Sequence, residues 1–301
     1  MPEIVDDKSE PCISFIIERL QNKCSRSEEV PFFVGINGAQ GSGKTTLVST
    51  LAARLSQPPY SLPTTVLSID DLYLPHRALS EVAASHSDNP LVQHRGQPGT
   101  HDIALGLSVF SKLWGGRETR IPNYDKSAHS GQGDRVSAEK WDTVNGNGSA
   151  KTKVVIFEGW CVGFRALPRE ELQRKWQDAC KKRDSGTYQG RLGWIKLEDV
   201  EFVNENLRGY DELTNQLDAV IHLDAENPMF VYQWRIEQEV HLRKLKGSGM
   251  TDEQVVDFVN GYYPAYELFT DGLRAGVFGD EGKQLRLIIG KDRKVKEILR
   301  V

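Results

Sequence analysis

Gly38-Ala39-Gln40-Gly41-Ser42-Gly43-Lys44-Thr45, entered from the apolar run Phe32-Phe33-Val34-Gly35-Ile36, decides how the rest of the chain reads. The pattern is G-x-x-x-x-G-K-[ST], placed between a strand and a helix whose apolar face is Leu47, Val48, Leu51, Ala52 and Leu55. Glycines let the backbone curl until successive N–H groups point inward and cradle phosphate oxygens. The positive end of the following helix adds to that field. In this pattern the lysine, here Lys44, reaches the β- and γ-phosphates, and the hydroxyl of Thr45 holds Mg²⁺. The stretch from Gly38 to Thr45, with Thr46 next in the helix, therefore predicts a nucleoside triphosphate site.

Working outward, other strands end in acids. Val66-Leu67-Ser68-Ile69 runs into Asp70-Asp71-Leu72-Tyr73, and Lys153 to Phe157 runs into Glu158-Gly159. Ala219 to Leu223 and Leu285 to Ile289 supply a fourth and fifth strand. Short apolar strands alternating with helices predict an α/β fold, a three-layer α/β/α sandwich with a mostly parallel sheet covered on both faces. Ligands in such sheets sit beyond the carboxyl ends of the strands, where Lys44, Asp70 and Glu158 all fall. Glu158 is thus the candidate for supporting Mg²⁺, and Asp70 for accepting the proton of an acceptor hydroxyl. Asp71 reads equally as a turn residue.

The helices are marked by their ends. Pro11 to Cys24 carries Ile13, Ile16, Ile17 and Leu20 on one face. Residues Ser80 to Gly99 read as an irregular lobe with a short helix, and a helix from Ile103 to Leu113 stops at Gly115-Gly116. Asn145 to Lys151 reads as a flexible surface loop. Asn227-Pro228 opens a helix to Lys246, Thr251 to Gln254 is a capping box, and Pro264 separates that next helix from Ala265 to Leu273. The organisation expected is one domain over 1–301, with an N-terminal helix (1–30), a substrate-binding lobe (80–150) and a helical lid (227–275).

Cations gather in the middle segment: His94, Arg95, His101, Lys126, His129 and Arg135, among Gly96, Gly99, Gly131 and Gly133. Loops this rich in donors can fold over an anionic ligand, and arginine grips a carboxylate through two parallel bonds. Asp102 reads either as part of such a site or as the N-cap of the helix at Ile103. On the later helix Arg235, Glu239 and Arg243 share a face. They form either an exposed ion-pair ladder or a lid that brings Arg235 to the transferring phosphoryl group.

Composition sets the bounds. The 301 residues are 39% hydrophobic and 27% charged with a formal net charge of −4, a balance that disfavours nucleic-acid or anionic-membrane surfaces. Lys181-Lys182-Arg183 and the tail from Lys291 to Arg300 read as solvated faces. The four cysteines (Cys12, Cys24, Cys161, Cys180) form no C-x-x-C pair, and no H-E-x-x-H occurs. Glu3, Asp6, Asp7 and Glu10 make the start a poor targeting peptide, so the expected compartment is the cytoplasm, with no membrane or protein partner implied. A GTPase is excluded, because neither D-x-x-G nor N-K-x-D or T-K-x-D is present. A motor or switch ATPase leaves the cationic middle segment without a purpose, so a small-molecule kinase using ATP and Mg²⁺ is the better reading.

Ser68 to Tyr73 and Phe157-Glu158-Gly159-Trp160 resemble the uridine kinase, phosphoribulokinase and pantothenate kinase superfamily. Pro98-Gly99-Thr100-His101-Asp102, Tyr124-Asp125-Lys126-Ser127, Gly133-Asp134-Arg135 and Val203 to Leu207 are similar to the plant-type D-glycerate 3-kinases and their fungal relatives. Trp234 to Glu239, Gly249 to Glu253 and Tyr263-Pro264-Ala265-Tyr266 belong to the same set, and the likeness runs from about Pro31 to Ile289. The resemblance implies transfer of the ATP γ-phosphoryl to the 3-hydroxyl of D-glycerate, with Asp70 as base. Arg95, His101, Lys126 and Arg135 are then the candidates for holding the anionic hydroxy acid. The alternatives are a nucleoside or pantothenate-like acceptor, or a regulatory ATP-binding protein without one.

Overall fold

The computed structural model describes residues 6–24, 30–247 and 249–301; Glu3 and the side chain of Cys24 lie outside what is described. The chain opens with α1 (Ser9–Cys24), β1 (Phe32–Gly38), α2 (Lys44–Ser56) and β2 (Thr64–Ser68), followed by α3 (His76–Ser85) and α4 (Ile103–Trp114). Four short strands come next: β3 (Thr119–Ile121), β4 (Tyr124–Asp125), β5 (Asp134–Arg135) and β6 (Asp142–Val144). Then follow β7 (Val154–Gly159), α5 (Arg169–Asp184), α6 (Leu197–Arg208), the single turn α7 (Asp211–Thr214) and β8 (Ala219–Ala225). Helices α8 (Phe230–Lys246) and α9 (Asp252–Ala275) precede a terminal hairpin, β9 (Gln284–Ile289) and β10 (Val295–Arg300).

The main sheet has the order β10-β9-β8-β1-β7-β2, parallel throughout except where β10 runs against β9. Alternate residues of β1 serve two cores. Phe32, Val34 and Ile36 pack with α1 and α2, while Phe33 packs beneath α4 with Val155 and Phe157 of β7. Both faces are covered, so the architecture is the expected α/β/α sandwich. The strand entering the glycine-rich loop is central, between β8 and β7, and its paired register puts Ile36 beside Glu158 and Glu158 beside Ser68. Among the described residues no helix is long and apolar enough to cross a membrane.

Several expectations need correcting. Pro264 does not divide a helix, because α9 is continuous from Asp252 to Ala275. Proline disturbs the carbonyls one turn earlier, and there the carbonyl of Gly261 accepts a hydrogen bond from Gln97 Nε2 at 2.7 Å. The capping box at Thr251 forms as read. Asn227-Pro228 does not open α8; Asn227 instead turns the chain, accepting from Met229 N, and the helix begins at Phe230. The charged tail is not merely a solvated face but contains β10, an edge strand whose charges hide its alternation. Asn145 is anchored rather than flexible, 2% exposed and accepting from Thr152 N at 2.7 Å.

Candidate active site

The glycine-rich loop takes the conformation that phosphate cradling needs. Gly41 and Gly43 have φ of 77° and 93°, a region that L side chains rarely adopt, and Gly43 caps α2. A methyl group on Gly41 would stand 2.7 Å from Trp234 Cβ, so α8 closes against the loop there. The first N–H groups of α2 have no partner within the helix, which leaves them for a ligand. Three further contacts set the loop's shape. Tyr266 on α9 donates to the side-chain oxygen of Gln40, Arg293 Nε donates to the Gly41 carbonyl at 2.7 Å, and Asn37 Nδ2 donates to the carbonyls of Trp160 and Val162. Ser42 Oγ is buried and has no hydrogen-bond partner among the described residues.

Lys44 leaves the first turn of α2 and pairs with Glu158, both side chains about one-seventh exposed (15% and 14%). Glu158 therefore faces the loop from the neighbouring strand. Asp70 and Asp71 lie on a 3₁₀ turn, Ile69–Leu72, rather than on the strand itself. That turn brings Asp70 within the field of Lys44, while Asp71 turns to the Tyr124 N–H. Asp70 Oδ2 accepts from Lys126 Nζ at 2.5 Å, with Asp70 29% and Lys126 56% exposed. Burial alone would raise the Asp70 pKa, but the ammoniums of Lys126 and Lys44 outweigh it and hold the carboxyl below its ordinary value. Asp71 goes the other way. Burial, with Asp70 and Glu158 nearby, pushes it up to about 6, although Tyr124 N–H donates to it. Two adjacent carboxyls thus have pKa values driven apart by their surroundings.

From the middle segment Lys126 reaches Asp70, while the other cations are engaged elsewhere. Arg95 donates to the carbonyls of Gly131, at 2.8 Å, and Gln132, and its guanidinium lies 5.8 Å from the centre of the Tyr124 ring. Among the described residues no carboxylate pairs with it, so its charge is not neutralised. Arg135 differs: Nη1 pairs with Asp102 at 3.0 Å and Nη2 donates to the Tyr73 carbonyl at 2.9 Å. Its charge is taken up in holding the turn that carries Asp70. Asp102 serves both readings at once, capping α4 through Leu105 N at 2.9 Å and pairing with Arg135. His101 stacks on Tyr73 and its Nδ1 lies 2.6 Å from the Tyr210 hydroxyl. Burial pushes its pKa down to about 4, so the ring is neutral at neutral pH. His129 stacks instead on His76 and reaches Asp134, at the lobe's surface.

Arg235 follows Trp234, the residue that closes against Gly41, and its own side chain is engaged within the helical region. It pairs with Glu239 at 2.8 Å, stacks on Phe258 and is 15% exposed. Glu239 is only 2% exposed, so moving Arg235 to a phosphate would strand a buried charge, which costs several kcal/mol. The exposed ladder is also absent, since Arg243 turns to the Met250 carbonyl and Asp252. Tyr266, Trp234 and Arg293 touch the loop without being candidates from the sequence. Trp234 and Tyr266 fall within the motifs that carry the family resemblance, which is the signal that could have found them.

With the geometry in place, known proteins can be set beside the chain. No protein-family model matches it. It is 36% identical over 274 residues to an uncharacterized kinase of Schizosaccharomyces pombe, covering 89% of this chain and 88% of that one. It is 34% identical over 275 residues to the chloroplastic D-glycerate 3-kinase of Arabidopsis thaliana; the match covers 87% of this chain but spans only 53% of that relative's length. The solved structure of a D-glycerate 3-kinase from Cryptococcus neoformans var. grubii superposes with a TM-score of 0.87 at 31% identity, covering 97% of this chain and 99% of the other.

Proposed function

The chain belongs to the D-glycerate 3-kinase family of ATP-dependent P-loop kinases, and on that premise we propose that it converts D-glycerate and ATP to 3-phosphoglycerate and ADP. The observation that carries the proposal is the position of Asp70. It is a carboxylate within the field of the loop lysine Lys44 and paired with a second ammonium, Lys126, on the acceptor side. Donor and acceptor groups therefore meet at one carboxylate.

ATP docks its phosphates on the amides of Gly38 to Thr46, with Ala39, Gln40 and Ser42 shaping the curl. Lys44 exchanges Glu158 for phosphate oxygens. Thr45 and Glu158 offer oxygen donors suited to Mg²⁺, and among the described residues no cluster of three His, Cys, Asp or Glu side chains competes for a metal. When bound, Mg²⁺ supplies charge neutralisation on the β- and γ-phosphates. Arg95 receives the acceptor carboxylate, Lys126 assists, and Asp70 accepts the proton of the attacking hydroxyl. His101 packs behind Tyr73 as a neutral wall, and Arg135 keeps the Asp70 turn in place through Tyr73 and Asp102. Residues 80–150 form the acceptor lobe and 227–275 the cover that excludes water, with Arg235 bracing the cover.

A coupled assay of ADP release with D-glycerate, uridine and pantothenate tests this reading. Release with D-glycerate, and 3-phosphoglycerate recovered as product, supports it. Release only with uridine or pantothenate would reassign the acceptor, and no acceptor-stimulated release with any of the three would favour a regulatory ATP-binding protein.

A further inference from the structure

We propose that Lys126 determines acceptor specificity by masking Asp70, so that the base becomes free only when the acceptor's own carboxylate draws the ammonium away. The inference rests on the reading of Asp70 as the base for a carboxylate-bearing acceptor.

The Lys126–Asp70 contact is a direct 2.5 Å ion pair in a partly exposed setting, so it can open without burying a lone charge. Lys126 belongs to the same loop that Arg95 grips: Arg95 Nη2 lies 3.5 Å from the Lys126 carbonyl, and its Nη1 donates to the carbonyls of Gly131 and Gln132. Arg95, Lys126 and Asp70 together carry one net positive charge. One acceptor carboxylate makes the group neutral. In this proposal a carboxylate docked on Arg95, whose guanidinium lies 3.5 Å from the Lys126 main chain, competes with Asp70 for the ammonium at the end of the flexible Lys126 side chain. A neutral hydroxyl compound, or water, cannot compete.

The consequence falls on the chemical step. With Lys126 in place, one carboxylate oxygen of Asp70 is occupied and the neighbouring positive charge makes it a poor base. Once Lys126 has moved to the acceptor, the acceptor hydroxyl gives its proton to Asp70 as its oxygen bonds to the γ-phosphorus. The bond from that phosphorus to the β-bridging oxygen breaks, and its electron pair leaves with ADP. Water entering alone finds the base masked, so ATP is spared from hydrolysis. The same arrangement predicts that glycerol, which offers the hydroxyls but no carboxylate, is slow even at saturation. Its defect lies in kcat and not only in KM.

The test compares wild type with Lys126→Met and Lys126→Arg for ADP release without acceptor, with D-glycerate and with glycerol, alongside thermal melts to establish folding. Lys126→Met is expected to hydrolyse ATP without acceptor about 10-fold faster than wild type or more, a small part of what general-base catalysis can contribute. It should also raise KM for D-glycerate about 10-fold or more and narrow the kcat gap between D-glycerate and glycerol. Lys126→Arg, which keeps a positive charge beside Asp70, should hydrolyse ATP without acceptor more slowly than Lys126→Met. If Lys126→Met is folded and its hydrolysis stays at the wild-type rate while wild type phosphorylates D-glycerate, the masking role is wrong and the function stands. If wild type phosphorylates no carboxylate-bearing acceptor, the functional reading and the masking role fall together.

Discussion

The two halves of the site are held by different means. The phosphate half is main chain: a loop whose glycine φ angles and amide directions are dictated by β1 and α2, elements buried in the core. The acceptor half is side chain on loop: Arg95 tied to carbonyls, Arg135 tied to Asp102 and Tyr73, and two short ribbons, β3–β6 and β4–β5. A main-chain site tolerates change around it but not within it. A side-chain site can be retuned one residue at a time.

Substitutions can break or sharpen that contrast. Lys44→Ala strikes the phosphate half and should lower kcat by about 10²–10³-fold, the scale for losing one charge-stabilising group at the transferring centre. The protein should stay folded but melt at a lower temperature than wild type, since Glu158, 14% exposed, loses its ion-pair partner. Arg95→Met strikes the acceptor half. It should raise KM for D-glycerate by about 10–100-fold, the scale for a charge-assisted bond, while leaving KM for ATP within about twofold. Equal damage to both KM values would mean that the halves are not separable.

Asp71 gives a smaller effect that reads out in stability. Its folded pKa, about 6, lies above its ordinary value of 3.8, because burial and the carboxylates of Asp70 and Glu158 disfavour its charge. The folded state then binds the proton more tightly than the unfolded chain does. Stability is therefore fullest below the unfolded value and falls as pH rises toward 6. Asp71→Asn keeps an acceptor for Tyr124 N–H and removes the charge. Thermal melts should show it more stable than wild type at pH 8, by about 1 kcal/mol, and no more stable at pH 4. A constant difference at both values would assign the effect to packing.

The same contrast explains what the sequence made legible. The glycine-rich loop, Asp70, Glu158 and the sandwich could be read because backbone geometry limits which residues can stand there. Asp102 could be named as a cap, but not as the partner of Arg135, because that pairing joins α4 to β5 across a lobe with no periodic signal. The spacing of Arg235 fits either an ion-pair ladder or a lid; its stacking on Phe258 depends on how α9 packs against α8, which helical spacing alone does not show. Arg293 reaches Gly41 from 252 residues away, a contact that no local pattern carries. β10 was hidden because edge strands are charged for reasons unrelated to their pairing.

The account stands on Asp70 acting in proton transfer and not in nucleotide binding. The direct measurement is kcat with saturating D-glycerate beside the calorimetric Kd for MgATP, in wild type and Asp70→Asn. The expected result is a fall in kcat of about 10²-fold or more with Kd for MgATP changed less than about twofold. A wild-type kcat in Asp70→Asn, or a loss confined to ATP affinity, would contradict it.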